Sequence, residues 1–99
     1  MGGRKMKHDI LVKYNDSVTD KKRMAEEVRE LFSSVTQIQG IRGVEVIPNV
    51  IDRPNRYDLM IEIDMDPSAL PAYDVSEAHK KWKADYAGYL EKKAIFDHN

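Results

Sequence analysis

The sequence predicts an α+β domain whose elements run in the order β-α-β-β-α-β. Three observations carry this. Residues 7–14 and 57–65 alternate with the period of two that a half-buried strand requires. Between them, apolar residues recur every three or four positions, the mark of an amphipathic helix. Clusters of Gly, Pro, Asn and Asp separate the periodic stretches. A chain of 99 residues suffices for one domain and not for two.

Residues 7–14 form the first expected strand, with His8, Ile10, Val12 and Tyr14 on one face and Asp9, Leu11 and Lys13 on the other. Asn15-Asp16-Ser17 is a turn cluster. Ser17 or Thr19 then caps a helix reaching about residue 36, with Met24, Val28, Leu31, Val35 and Ile38 as its apolar stripe. Gly40 and Gly43 supply backbone freedom for a turn out of that helix around Ile41-Arg42. Residues 44–50 make a second strand. Pro48 cannot donate to a ladder, so this strand belongs at an edge or bulges there. Residues 52–56 are a loop.

Residues 57–65 are the clearest strand, with Tyr57, Leu59, Ile61, Ile63 and Met65 opposite Asp58, Met60, Glu62 and Asp64. Asp66-Pro67 has the pattern of an N-cap followed by proline in the first helical position, opening a short helix to about residue 73. Ser76 caps a second helical stretch to about residue 90, with His79, Trp82, the stem of Lys83, Tyr86 and Leu90 facing inward. Residues 93–97 form a short last strand.

This order is the ferredoxin-like, split-βαβ arrangement. It places four antiparallel strands in one sheet with the helices on one face. The other face would carry Leu11, Met60, Ala94 and Phe96 among Asp9, Asp58, Glu62 and Asp64. Pattern alone leaves two outcomes open: a monomer with a solvated face, or a second copy packed against it about a two-fold axis.

Composition excludes several functions. Sixteen basic and seventeen acidic side chains leave a net charge of −1, too little positive field to bind nucleic acid or an anionic membrane through released counterions. The absence of cysteine removes disulfides, thiolate metal sites and cysteine nucleophiles. No stretch approaches the ~20 apolar residues a membrane span needs, and no apolar signal region follows the first residues. A cytoplasmic location is expected. Residues 6–99 are taken as a single domain and residues 1–5 as a flexible extension.

Several short segments together carry a family likeness. Lys7-His8-Asp9-Ile10-Leu11-Val12-Lys13-Tyr14, Val18-Thr19, Ile41-Arg42-Gly43-Val44, Tyr57-Asp58-Leu59, Ala69-Leu70-Pro71-Ala72-Tyr73 with Ala78-His79, and Ile95-Phe96-Asp97 occur in the order and spacing of the stress-responsive α/β-barrel (Dabb) family. The chain resembles that family over nearly its whole length. The resemblance implies a homodimeric α/β barrel of ferredoxin-like subunits. One departure stands out: Ser76-Glu77 replaces the His-Pro that many members carry two residues before the position of His79.

His8, Tyr73, His79 and Asp97 are the candidate site residues. The fold can bring all four to one end of the cleft between helices and sheet. Plant polyketide cyclases of this fold use a matching tyrosine and histidine six residues apart. The resemblance therefore implies His79 as a general base for proton abstraction next to a carbonyl, for which a neutral imidazole is suited near pH 7. Tyr73 would donate to the developing enolate oxygen, and Asp97 would fix the tautomer of His8. A small carbonyl-containing or aromatic compound is the implied ligand. The alternative is a non-catalytic accessory or stress protein whose output is dimerisation.

No cofactor is expected. His8, His79, Asp97 and His98 offer nitrogen and oxygen ligands for a metal, but no HxH, HExxH or HxxxH spacing joins them, and Asp97-His98 also suits a simple tail. His79 and Trp82 share a helix face, as at a haem site, yet Trp82 is read as core. The basic pairs Lys80-Lys81 and Lys92-Lys93 are solvated surface.

Overall fold

A computed structural model describes residues 5–99. The extension expected at residues 1–5 lies outside the described residues apart from Lys5. Four strands, β1 (Met6–Tyr14), β2 (Ile41–Pro48), β3 (Leu59–Met65) and β4 (Leu90–His98), form one sheet in the order β2-β3-β1-β4. Every neighbouring pair is antiparallel. Among the described residues there are three α-helices: α1 (Lys21–Phe32), α2 (Leu70–Asp74) and α3 (Glu77–Tyr86). The expected α+β, ferredoxin-like subunit is what the chain forms.

The register explains the core. Ile10 lies opposite Ile61 and Ile95, Val12 opposite Leu59, and His8 opposite Ile63 and Asp97. Cross-strand partners share a face, so the alternation of β1 and β3 becomes one apolar surface. Ile10, Val12, Leu59, Ile61, Ile63 and Met65 are all buried there, beneath Met24, Ala25, Val28 and Phe32 of α1 and Ala78 and Trp82 of α3. Trp82 meets Phe32 edge-on with ring centroids 5.5 Å apart, and stacks on Tyr86 at 5.4 Å. Among the described residues no helix is long and apolar enough to cross a membrane.

Several boundaries differ from expectation, each for a local reason. The cap of α1 is Asp20, whose Oδ1 accepts from the Arg23 amide at 3.0 Å. Ser17 instead turns back onto Asn15 Oδ1. Regular helix ends at Phe32 and a 3-10 turn, Ser33–Gln37, carries the buried Val35. The turn at residues 40–43 is tighter than predicted: Gly40 alone takes a positive φ, +93°, and Ile41 and Arg42 already belong to β2. A side chain at Gly40 would also press its Cβ to 3.0 Å from Ala69 Cβ. Pro48 is the last residue of β2, which is an edge strand, as a missing donor demands.

Asp66 caps nothing. Its carboxylate accepts from Arg42 Nη1 at 2.6 Å, and the chain after it begins as a 3-10 turn at Pro67–Ala69. Ser76 does cap α3, its Oγ accepting from the His79 amide at 3.2 Å. That helix stops at Tyr86, and β4 starts at Leu90, three residues earlier than predicted. The Asn15 amide donates to the Tyr89 carbonyl, and Leu90 pairs with Tyr14, so sheet pairing takes residues the helical period had claimed. Lys83, expected to lay its stem inward, is exposed; the i, i+4 pair Ala78 and Trp82 faces the core instead.

Candidate functional site

The structure brings His8, Tyr73, His79 and Asp97 together. His8 comes from β1, and Asp97 lies directly opposite it on β4. His8 Nδ1 and Asp97 Oδ1 are 2.5 Å apart. A carboxylate only accepts, so Nδ1 carries the proton and Nε2 is the lone-pair nitrogen of the neutral ring. This is the carboxylate–imidazole pairing that holds one tautomer in hydrolase triads.

Tyr73, near the end of α2, lies between the two imidazoles. Its ring centroid is 5.5 Å from that of His8 and 4.9 Å from that of His79. The residue is 1% exposed, and its hydroxyl has no hydrogen-bond partner among the described residues. Burial, reinforced by the charge of Asp74, pushes its phenol well above the ordinary range, so it stays a neutral donor.

His79 Nδ1 lies 2.9 Å from the Asp74 carbonyl oxygen, to which it must donate. Here too Nε2 becomes the basic nitrogen. The Ser76 cap and its bond from Oγ to the Tyr73 carbonyl, 2.7 Å, fix the short link between α2 and α3, and so the spacing of the two rings. His8 is buried, whereas His79 is partly and Asp97 more fully exposed, so the cluster opens to solvent at those two residues.

The arrangement thus holds two imidazoles with defined tautomers around a neutral buried phenol. It suits taking a proton from a carbon acid while hydrogen-bonding the oxygen that gains charge. A cavity of about 420 Å³ lies elsewhere, between α1 and the end of β2, lined by Tyr14, Ala25, Arg29, Pro48 and Asp52 among others.

Two features were not visible in the sequence. The Asp74 carbonyl that orients His79 is a backbone group and leaves no signal in side-chain pattern. The second is a cluster of Asp9, Glu62 and His98. Strand alternation assigned Asp9 and Glu62 to one face, but the pairing that sets them opposite one another, and the extension of β4 to His98, required the sheet.

A ferredoxin-like subunit with a polar cluster at one end of its helix–sheet interface is the class these observations define. A sequence model described as the stress responsive A/B barrel domain matches residues 6–99, and the chain belongs to that family. No curated protein sequence matches it. Among solved structures, a dimeric ferredoxin-like protein of unknown function from Thermobifida fusca is 20% identical with a TM-score of 0.80, over 97% of this chain and 91% of that one. A dimeric protein of unknown function and ferredoxin-like fold from Bacteroides fragilis is 21% identical with a TM-score of 0.78, over 96% and 95%. A hydroxynitrile lyase from Passiflora edulis is 10% identical with a TM-score of 0.73, over 96% and 92%. The chain is thus a stress-responsive A/B barrel domain protein, with no particular activity attached to it by these likenesses.

Proposed function

We propose that the chain acts in the cytoplasm as a homodimeric α/β barrel that binds a small carbonyl-containing compound beside Tyr73, with His79 as general base. The observation that carries this reading is the Tyr73 hydroxyl, buried and without a partner among the described residues. Leaving a buried donor unsatisfied costs about 1–3 kcal/mol, and a ligand oxygen arriving there would recover that loss. His79 Nε2, bare when Nδ1 is given to the Asp74 carbonyl, is the nitrogen for the proton. The His8–Asp97 pair holds the far side of the phenol ring. A catalytic relative of the same fold, the hydroxynitrile lyase, is consistent with an active site in this architecture.

Proton abstraction is tested with acetophenone in deuterium oxide, following exchange of its methyl protons by NMR. The protein should accelerate exchange over buffer, His79→Ala should lower that rate by about 10²–10⁴-fold, and Tyr73→Phe should lower it while leaving the fold intact. Equal rates for the protein and its His79→Ala variant would overturn the assignment.

A second reading has its own support. Phe32, Trp82 and Tyr86 pack their rings against one another in the helix–sheet interior, the first pair edge-on and the second stacked, which favours a non-catalytic domain whose output is dimerisation. Absence of both exchange and ligand-induced chemical-shift changes, in a protein that still dimerises, would select it.

A further inference from the structure

On the face of the sheet opposite the helices, Asp9 of β1, Glu62 of β3 and His98 of β4 meet. Asp9 and Glu62 are direct cross-strand partners, and His98 pairs with Lys7, one step diagonal to Asp9. His98 Nε2 is 2.7 Å from Asp9 Oδ2 and 3.9 Å from Glu62 Oε2. Each residue offers a ligand atom, and these atoms all lie within 4.8 Å of one another.

Asp9 is what sets this cluster apart from surface acids. It is 7% exposed, though it sits on the uncovered face, and its Oδ1 is buried with no hydrogen-bond partner among the described residues. Its Oδ2 is paired with His98, so Oδ1 is the buried acceptor atom left open to a cation. His98 is oriented as a ligand. Its Nδ1 lies 3.1 Å from the Asn99 carbonyl oxygen, to which it must donate. Nε2, 2.7 Å from Asp9 Oδ2, donates its proton there in the metal-free chain; a cation would displace that proton and take the Nε2 lone pair, while Nδ1 keeps the ring oriented.

We infer that Asp9, Glu62 and His98 form a binding site for a first-row divalent cation such as zinc on the open face of the sheet. Metal–ligand bonds of about 2.0–2.2 Å require the three donors to close somewhat from their present spread. Glu62 has the freedom to do so, because its competing contacts are long: Lys7 Nζ stands 3.8 Å from Oε1. One imidazole with two carboxylates favours zinc over manganese, and either over magnesium. Three protein ligands leave a coordination position for water or for a group from a facing subunit. The site is separate from the His8–Tyr73–His79 cluster, since alternation along β1 puts His8 and Asp9 on opposite faces of the sheet.

The test uses the full chain, stripped with a chelator, and titrates zinc, manganese and magnesium chlorides separately by calorimetry and native mass spectrometry. One zinc per chain is expected, with manganese weaker. Asp9→Asn and His98→Gln should each weaken zinc by at least about tenfold, while His79→Gln leaves it unchanged. Because Asp9 is buried, His98→Gln at the end of β4 serves as the variant whose folding is least at risk, with circular dichroism as the check. Zinc binding undiminished in His98→Gln, zinc lost in His79→Gln, or no uptake by the unmodified chain at millimolar zinc would each overturn the site.

Discussion

Tyr14 and Tyr73 bury their phenols at opposite ends of the helix–sheet interface, and both hydroxyls lack a partner among the described residues. Burial raises both phenols well above the ordinary value of 10.0; Asp58 and Tyr86 add to the shift at Tyr14, and Asp74 at Tyr73. A group with a raised folded-state pKa contributes stability that is whole below its unfolded pKa and is lost as pH climbs through the folded one. The fold should therefore hold steady to about pH 9–10 and weaken steeply above it, as unfolded phenols near pKa 10 ionise and the buried ones do not. Thermal melts against pH, read beside phenolate absorbance, measure this. The Tyr14→Phe, Tyr73→Phe double variant should move the alkaline transition upward; an unmoved transition would show that other groups set it.

At the level of elements, the two ends of the α1–β2 segment rest on single residues. Asp20 caps α1 through one carboxylate oxygen, so Asp20→Ala should cost about 1 kcal/mol in urea unfolding. Gly40 is needed twice over, by its φ of +93° and by Ala69 Cβ, which a new Cβ would approach to 3.0 Å. Gly40→Ala should cost about 1–2 kcal/mol from the left-handed backbone alone, and unchanged stability in urea unfolding would refute this account. Asp58 ties three segments together, accepting from the Tyr14 amide at 2.8 Å and from Lys21 at 3.0 Å while its own amide donates to the Val12 carbonyl. That knot explains why regular strand begins at Leu59 rather than at Tyr57.

For the whole molecule, the open sheet face is the decisive surface. Leu11 lies opposite Met60 and Ala94, and Phe96 opposite Asp9, so four apolar residues gather there. Phe96 is 62% exposed and Ile47, paired with Met60 from β2, is 39% exposed. A second copy would cover them, in keeping with the dimeric proteins that share the fold. Sedimentation equilibrium should show about twice the 11.4 kDa chain mass for the unmodified protein. Phe96→Lys, which puts a charge into that contact, should shift it to the monomer with its circular dichroism retained. A dimer of undiminished strength in Phe96→Lys would mean that another surface holds the subunits together.

Element order, the core faces of β1 and β3, the Ser76 cap and the four residues His8, Tyr73, His79 and Asp97 were all legible in the chain. Alternation and helical period are local consequences of backbone geometry, and the family likeness named the candidate residues that the fold gathers. What lay beyond reach depended on which strand neighbours which. The orienting of His79 by a backbone carbonyl and the gathering of Asp9, Glu62 and His98 join residues through chain reversal or sheet register. Register is chosen by the packing of the assembled core, and no stretch of the chain encodes it alone.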